Sequence, residues 1–173
     1  MSSVISEDRT QVLPDGTEIN FCTSGSGSRV VLLLPGALGT GRTDFTPQLE
    51  SLNSSGKLTL IAWDPPGYGK SRPPNRTFPN NFFERDAKVA LNFMKSLGHE
   101  RYALSLLLRI QTIVCNCLYD ISRFSIVGWS DGGITALFMA AMFVDNIEKM
   151  IAHAANAYFE VYSYPIHFCS LML

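Results

Sequence analysis

Residues 124–132, Phe-Ser-Ile-Val-Gly-Trp-Ser-Asp-Gly, constrain the fold more than any other stretch of the chain. Phe124 to Gly128 is an apolar run of strand length, and an apolar helical stretch, Ile134–Val144, begins just past the Gly132-Gly133 pair. Between them Gly128-Trp129-Ser130-Asp131-Gly132 matches G-x-S-x-G, at the strand-to-helix turn that the chemistry of this pattern requires. A serine on so sharp a turn exposes its hydroxyl, and glycines on either side keep side chains from colliding there. The Asp131 N–H then faces the position of a developing oxyanion, helped by the helix N-terminus. Five residues alone are also what a chance Gly-rich turn looks like. The flanking strand and helix are what make Ser130 a candidate nucleophile and Asp131 a candidate oxyanion donor.

The same alternation recurs upstream. Thr10–Leu13 and Thr17–Thr23, around Pro14-Asp15-Gly16, predict a hairpin, and Ser24–Ser28 a loop. Val30–Leu34 and Leu58–Trp63 are continuous apolar runs, as strands buried on both faces of a parallel sheet require. Met150–Ala155 is read as a fourth such strand. Phe45–Leu52 and Phe82–Leu97 carry helical spacing, the second ending at Gly98. The fold class is therefore α/β, a mostly parallel sheet with flanking helices. Leu34-Pro35-Gly36-Ala37-Leu38-Gly39 follows the first central strand and is Gly-rich enough for close backbone approach. The N–H of Ala37 or Leu38 is the expected second oxyanion donor. Asp64, opening the Asp64-Pro-Pro-Gly67 turn, is expected to hold its loop by side-chain-to-backbone hydrogen bonds rather than to act in catalysis.

A chain of 173 residues suits one compact domain with a core of its own. Apolar residues at 46%, charged residues at 17% and a net charge of −1 give no signature of disorder. No Lys/Arg cluster points to nucleic acid or an anionic membrane. Cys22, Cys115, Cys117 and Cys169 lack metal-ligand spacing, so no metal and no cofactor is expected, and a reducing compartment is the simpler setting. The N-terminus reads as neither signal nor transit peptide. Tyr102–Leu118, the most apolar stretch, is interrupted by Arg109 and Gln111 and is short for a membrane span. The expected setting is the cytoplasm.

Two stretches do not fit this organisation. Residues 101–122 stand where a loop of about two to six residues is expected. They are rich in leucine and isoleucine without amphipathic order. Residues 159–173 are aromatic and Cys-bearing without a recognisable element. The expected organisation is a partial core over 1–158, interrupted by an atypical insertion at 101–122 and followed by an atypical tail at 159–173. Both stretches are expected to be translated intron or mis-assembled sequence.

The three central segments, in this order and spacing, resemble those of the α/β-hydrolase family. The resemblance rests on Leu32–Gly39, Thr43-Asp44-Phe45, Ala62–Pro65, Gly67-Tyr68-Gly69, Ser71–Pro74, Phe82–Lys88, Gly128–Leu137 and Ala155–Tyr158. Within the family it points to the branch that cleaves α-amino-acid esters. The resemblance implies a serine hydrolase of small carboxylic esters working through an acyl-enzyme on Ser130. Ala37 or Leu38 together with Asp131 would be the oxyanion donors, and the Asp131 carboxylate would bind the substrate's α-ammonium. It also implies a cap after the sixth strand, with the triad acid and histidine beyond it, where this sequence has already ended. His99, His153 and His167 match none of the family's catalytic positions, and Pro66 stands where the family commonly has arginine. The alternative expectation is therefore a catalytically inactive fragment, its last strand leaving an apolar edge uncovered.

Overall fold

The computed structural model describes residues 5–52, 56–99 and 123–155. The expected insertion and tail, and with them Cys115, Cys117, Cys169 and His167, lie outside the described residues. The elements in chain order are β1 (Arg9–Val12), β2 (Glu18–Ser24), β3 (Arg29–Leu34), α1 (Gly41–Ser51), β4 (Leu58–Trp63), α2 (Phe82–Ser96), β5 (Phe124–Trp129), α3 (Asp131–Met142) and β6 (Ile147–His153). The strands form one sheet in the order β1-β2-β4-β3-β5-β6. β4, β3, β5 and β6 run parallel, and the N-terminal hairpin adds β2 and β1 antiparallel.

The continuous apolar runs exist because both faces of the central strands are covered. Leu32 and Leu34 of β3, with Ile61 and Trp63 of β4, join a core cluster with Ala87, Ala90, Leu91, Phe93 and Met94 of α2 and Ala136 and Met139 of α3. Leu33, Leu60 and Ala62 point the other way, into a smaller cluster with Phe45 and Leu49 of α1. The period-two alternation of a strand thus sends neighbours to opposite cores. Cys22 lies in the smaller cluster, where burial pushes its thiol pKa up and leaves it unreactive.

Most element limits fall within one or two residues of the sequence expectation, and the starts of three elements differ by more. α1 begins at Gly41 rather than Phe45, because Thr40 caps it: its hydroxyl accepts from the Thr43 N–H and the Thr43 hydroxyl reciprocates. α3 begins at Asp131 rather than Ile134, so the glycine pair lies inside the helix instead of ahead of it. β6 spans Ile147–His153 rather than Met150–Ala155. It is also not a buried strand: Ile151 is 60% exposed, and β6 is the outer strand among the described residues. Among the described residues its outer side has no neighbouring strand.

β3 lies between β4 and β5: the chain goes from β3 out to β4 and then crosses back past β3 to β5. Strand order therefore reverses at β3, and the loops leaving β3 and β5 open side by side at one end of the sheet.

Phe93 is fully buried, stacks on Trp63 at 5.9 Å and meets the Phe21 ring edge-on at 5.2 Å. Truncating it leaves a cavity between α2 and the sheet, so Phe93→Ala is expected to cost about 3–5 kcal/mol, read from urea unfolding.

Candidate active site

Ser130 is the residue between β5 and α3, with φ 51° and ψ −120°. A non-glycine residue rarely adopts this backbone, and its strain is held by the surroundings. The Ser130 N–H donates to the His153 carbonyl of β6 at 2.9 Å. The Ser130 carbonyl accepts from Gly133 and Ile134 at 2.8 and 3.2 Å. The N–H groups of Asp131 and Gly132 thus lie ahead of the helical ladder, as the first donors of any helix do.

Glycine is required where these backbones meet. A Cβ at residue 132 would lie 2.0 Å from the Leu34 carbonyl oxygen, and one at residue 128 would lie 2.3 Å from the Gly132 carbonyl oxygen. A Cβ at residue 36 would lie 2.8 Å from Trp129 Cδ1 and 3.1 Å from Ser130 Cβ. The loop after β3 therefore presses directly on the serine turn. Ala37 and Leu38 are exposed at the next positions of that loop, with Leu38 at φ 61°, while Ser130 and Asp131 are half-buried. The structure brings all four residues singled out in the sequence to one end of the sheet.

Two carboxylates hold the loops around this point. Asp44, in the first turn of α1, accepts from the Gly36 N–H at 2.9 Å and from the Thr43 hydroxyl at 2.9 Å. Sequence reasoning gave it no role, although an acidic residue in the first turn of a helix following a Gly-rich loop is a signal for one. Asp64 is buried and accepts from the Gly41 N–H, the Lys70 N–H and Asn20 Nδ2 at 3.1, 2.9 and 3.0 Å. Its oxygens are taken up by loop-holding bonds, as expected. Pro66 does not leave its loop without polar contact, since Arg76 donates to the Pro66 carbonyl at 3.1 Å. The same guanidinium pairs with buried Asp86 and lies 4.9 Å from the Tyr68 ring centre. The sequence did not reveal this buried ion pair.

The histidines lie elsewhere. His153 stacks its ring on Trp129 at 5.2 Å, and His99 follows α2, its N–H donating to the Met94 carbonyl at 3.0 Å. Among the described residues no histidine side chain is hydrogen-bonded to Ser130.

With this geometry in hand, comparison with known proteins places the chain. Residues 29–165 match the family described as alpha/beta hydrolase fold. The chain belongs to that family. Among α/β-hydrolases it is similar to the mouse (Mus musculus) protein named Serine hydrolase BPHL, 46% identical over 148 residues, which are 86% of this chain and 43% of that relative. The human (Homo sapiens) protein of the same name is 45% identical over the same shares. The chain thus spans less than half the length of these relatives. Among solved structures, a hydrolase from Pseudomonas aeruginosa PA01 superposes with a TM-score of 0.66 at 17% identity, covering 89% of this chain and 48% of that one. That likeness speaks for the α/β-hydrolase fold. No helix among the described residues is long and apolar enough to cross a membrane.

Two outcomes follow. Asp64→Ala strands two buried donors, on Asn20 and Gly41, each costing about 1–3 kcal/mol, and one part-buried donor on Lys70, and the urea midpoint is expected to fall sharply. His99 has its imidazole pKa pushed below 6.5 by burial. Its folded value is lowered, so its contribution is intact above 6.5 and is lost as pH falls through the folded value. Measured by urea unfolding, His99→Gln is expected to flatten the loss of stability below about pH 6.5.

Proposed function

We propose that Ser130 is the nucleophile of a serine hydrolase acting on small carboxylic esters, with α-amino-acid esters as the substrate class. The observation that carries this is the strained Ser130 backbone at the β5–α3 turn with the Gly36 loop pressed against it. The name of the mouse and human relatives, serine hydrolase, supports the same chemistry. So does the resemblance of Gly128–Leu137 to the branch of the family that cleaves α-amino-acid esters.

In this reading the Ser130 Oγ attacks the acyl carbon. The N–H of Asp131 and that of Leu38 or Ala37 hold the oxyanion, which costs no reorganisation because the backbone is already in place. The tetrahedral intermediate collapses, the alcohol leaves, and water releases the acid from the acyl-enzyme. The Asp131 carboxylate pairs with the substrate's α-ammonium, a charge-assisted contact beside the reacting carbon. The attacking hydroxyl needs a general base, since a serine is a weak nucleophile at neutral pH without one.

The second reading is a catalytically inactive fragment, favoured by the absence, among the described residues, of any histidine side chain bonded to Ser130. Both readings meet in one experiment. The chain is assayed against α-amino-acid esters alone, and again after fusion to the part of the mouse relative that follows the matched residues. The chain alone is expected to show no Ser130-dependent turnover. The fusion is expected to turn over, to lose activity by at least about 10³-fold in Ser130→Ala, and to lose its preference for α-amino over uncharged esters in Asp131→Asn. A folded fusion without Ser130-dependent hydrolysis would overturn the nucleophile assignment.

A further inference from the structure

Beside the serine turn, between Asp131 and the Asp86 end of α2, the structure carries a small, partly open pocket of about 10 Å³. Pro35, Gly36, Trp63, Arg76, Asp86 and Gly132 are among the residues lining it. Two of these carry buried donors with no hydrogen-bond partner among the described residues, Trp63 Nε1 and Arg76 Nε. Both side chains are more than nine-tenths buried: Trp63 is 1% exposed and the Arg76 side chain 8%. A buried N–H left without an acceptor is costly, and native proteins satisfy nearly all of them. The other Arg76 nitrogens are engaged, by Asp86 and by the Pro66 carbonyl. The indole of Trp63 is wedged between the sheet and Phe93, so it cannot turn away to find a partner.

The cavity matches what such donors need. Its volume is that of a single water position, and two unpaired donors and a carboxylate line it, whereas a purely apolar void of this size stays dry. Acceptors are present as well. Asp86 contributes its carboxylate, and the Pro35 carbonyl faces the first turn of α3, 2.5 Å from where a Cβ of Gly132 would stand.

We propose that this cavity binds one structural water molecule, which accepts hydrogen bonds from Trp63 Nε1–H and Arg76 Nε–H and donates to the Pro35 carbonyl. The ligand is water itself, because the space matches one water position and because two donors facing at least one acceptor is a water's complement. The water joins the Arg76–Asp86 pair to the residue preceding Gly36. It therefore ties the loop of Ala37 and Leu38 to the core of the α2 side, independently of what Ser130 does.

The test uses the intact 173-residue chain. The sequence holds two tryptophans, Trp63 and Trp129, so the indole N–H signals are assigned with a Trp129→Phe variant. The Trp63 indole proton and the Arg76 Nε proton are expected to show direct cross-relaxation to water while exchanging slowly with deuterium. Exposed Trp129 is expected to exchange fast. Slow exchange at Trp63 without a water cross-peak would mean a dry cavity. Exchange as fast as that of Trp129 would mean an open one. Either overturns the proposal. In Trp63→Phe the Arg76 cross-peak is expected to weaken severalfold, as one of the water's two donors is gone. An unchanged peak would give Arg76 a separate water and end the shared site, and should that variant fail to fold, the native-chain measurement still decides.

Discussion

The backbone contact between the first turn of α3 and the end of β3 is what the site depends on. Gly132 sits so close to the Leu34 and Pro35 carbonyls that a methyl group there would overlap both, at 2.0 and 2.5 Å. Because those backbones touch, the loop after β3 and the turn after β5 occupy one small volume, and the serine between them is driven to a positive φ. Packing of Leu32, Leu34 and Ile126 under α2 and α3 supplies the burial that holds this arrangement against its strain.

Charge completes what packing begins. Asp44 and Asp64 each hold a loop through N–H donors at the same end of the sheet, one gripping Gly36 and the other gripping Gly41 and Lys70. Charged acceptors for backbone donors are stronger than neutral ones, so a few residues stiffen loops that carry little apolar surface of their own. Arg76 and Asp86 do the same from the α2 side, where the guanidinium also faces the rings of Tyr68, Phe78 and Phe82. Together these anchors put the exposed Ala37–Leu38 loop on a rigid base. That is the property an oxyanion-binding loop needs, since its donors must be in place before charge develops.

The opposite end of the sheet order carries a different condition. β6 pairs with β5 along one side, with Met150, Ile151 and Ala152 set against Ile126, Val127 and Gly128, and supplies the carbonyl that holds the Ser130 N–H. Its outer side is open among the described residues, and Ile151 and Val144 are exposed. The strand that holds the Ser130 N–H is thus also an edge strand among the described residues, where unpaired backbone groups invite association.

Much of this was legible in the residues. The apolar runs at Val30–Leu34, Leu58–Trp63 and Phe124–Gly128 declare strands buried on both faces, because only a sheet covered by helices tolerates such runs. Gly128-Trp129-Ser130-Asp131-Gly132 declares the serine turn, because its glycines make sense only where backbones collide. Helix limits were less legible. The Gly132-Gly133 pair reads locally as a helix breaker, yet stands inside α3, since what selects glycine is distant: the Leu34 and Pro35 backbone at Gly132 and the Ala155 side chain at Gly133. The burial of β6 was misjudged for a related reason: an apolar run shows what a strand prefers to touch, not whether a neighbour is there to touch it. Asp44's grip on Gly36, the Arg76–Asp86 pair and the cavity beside Trp63 were invisible along the chain. They are contacts between residues eight or more positions apart, and only the folded sheet decides which of those meet.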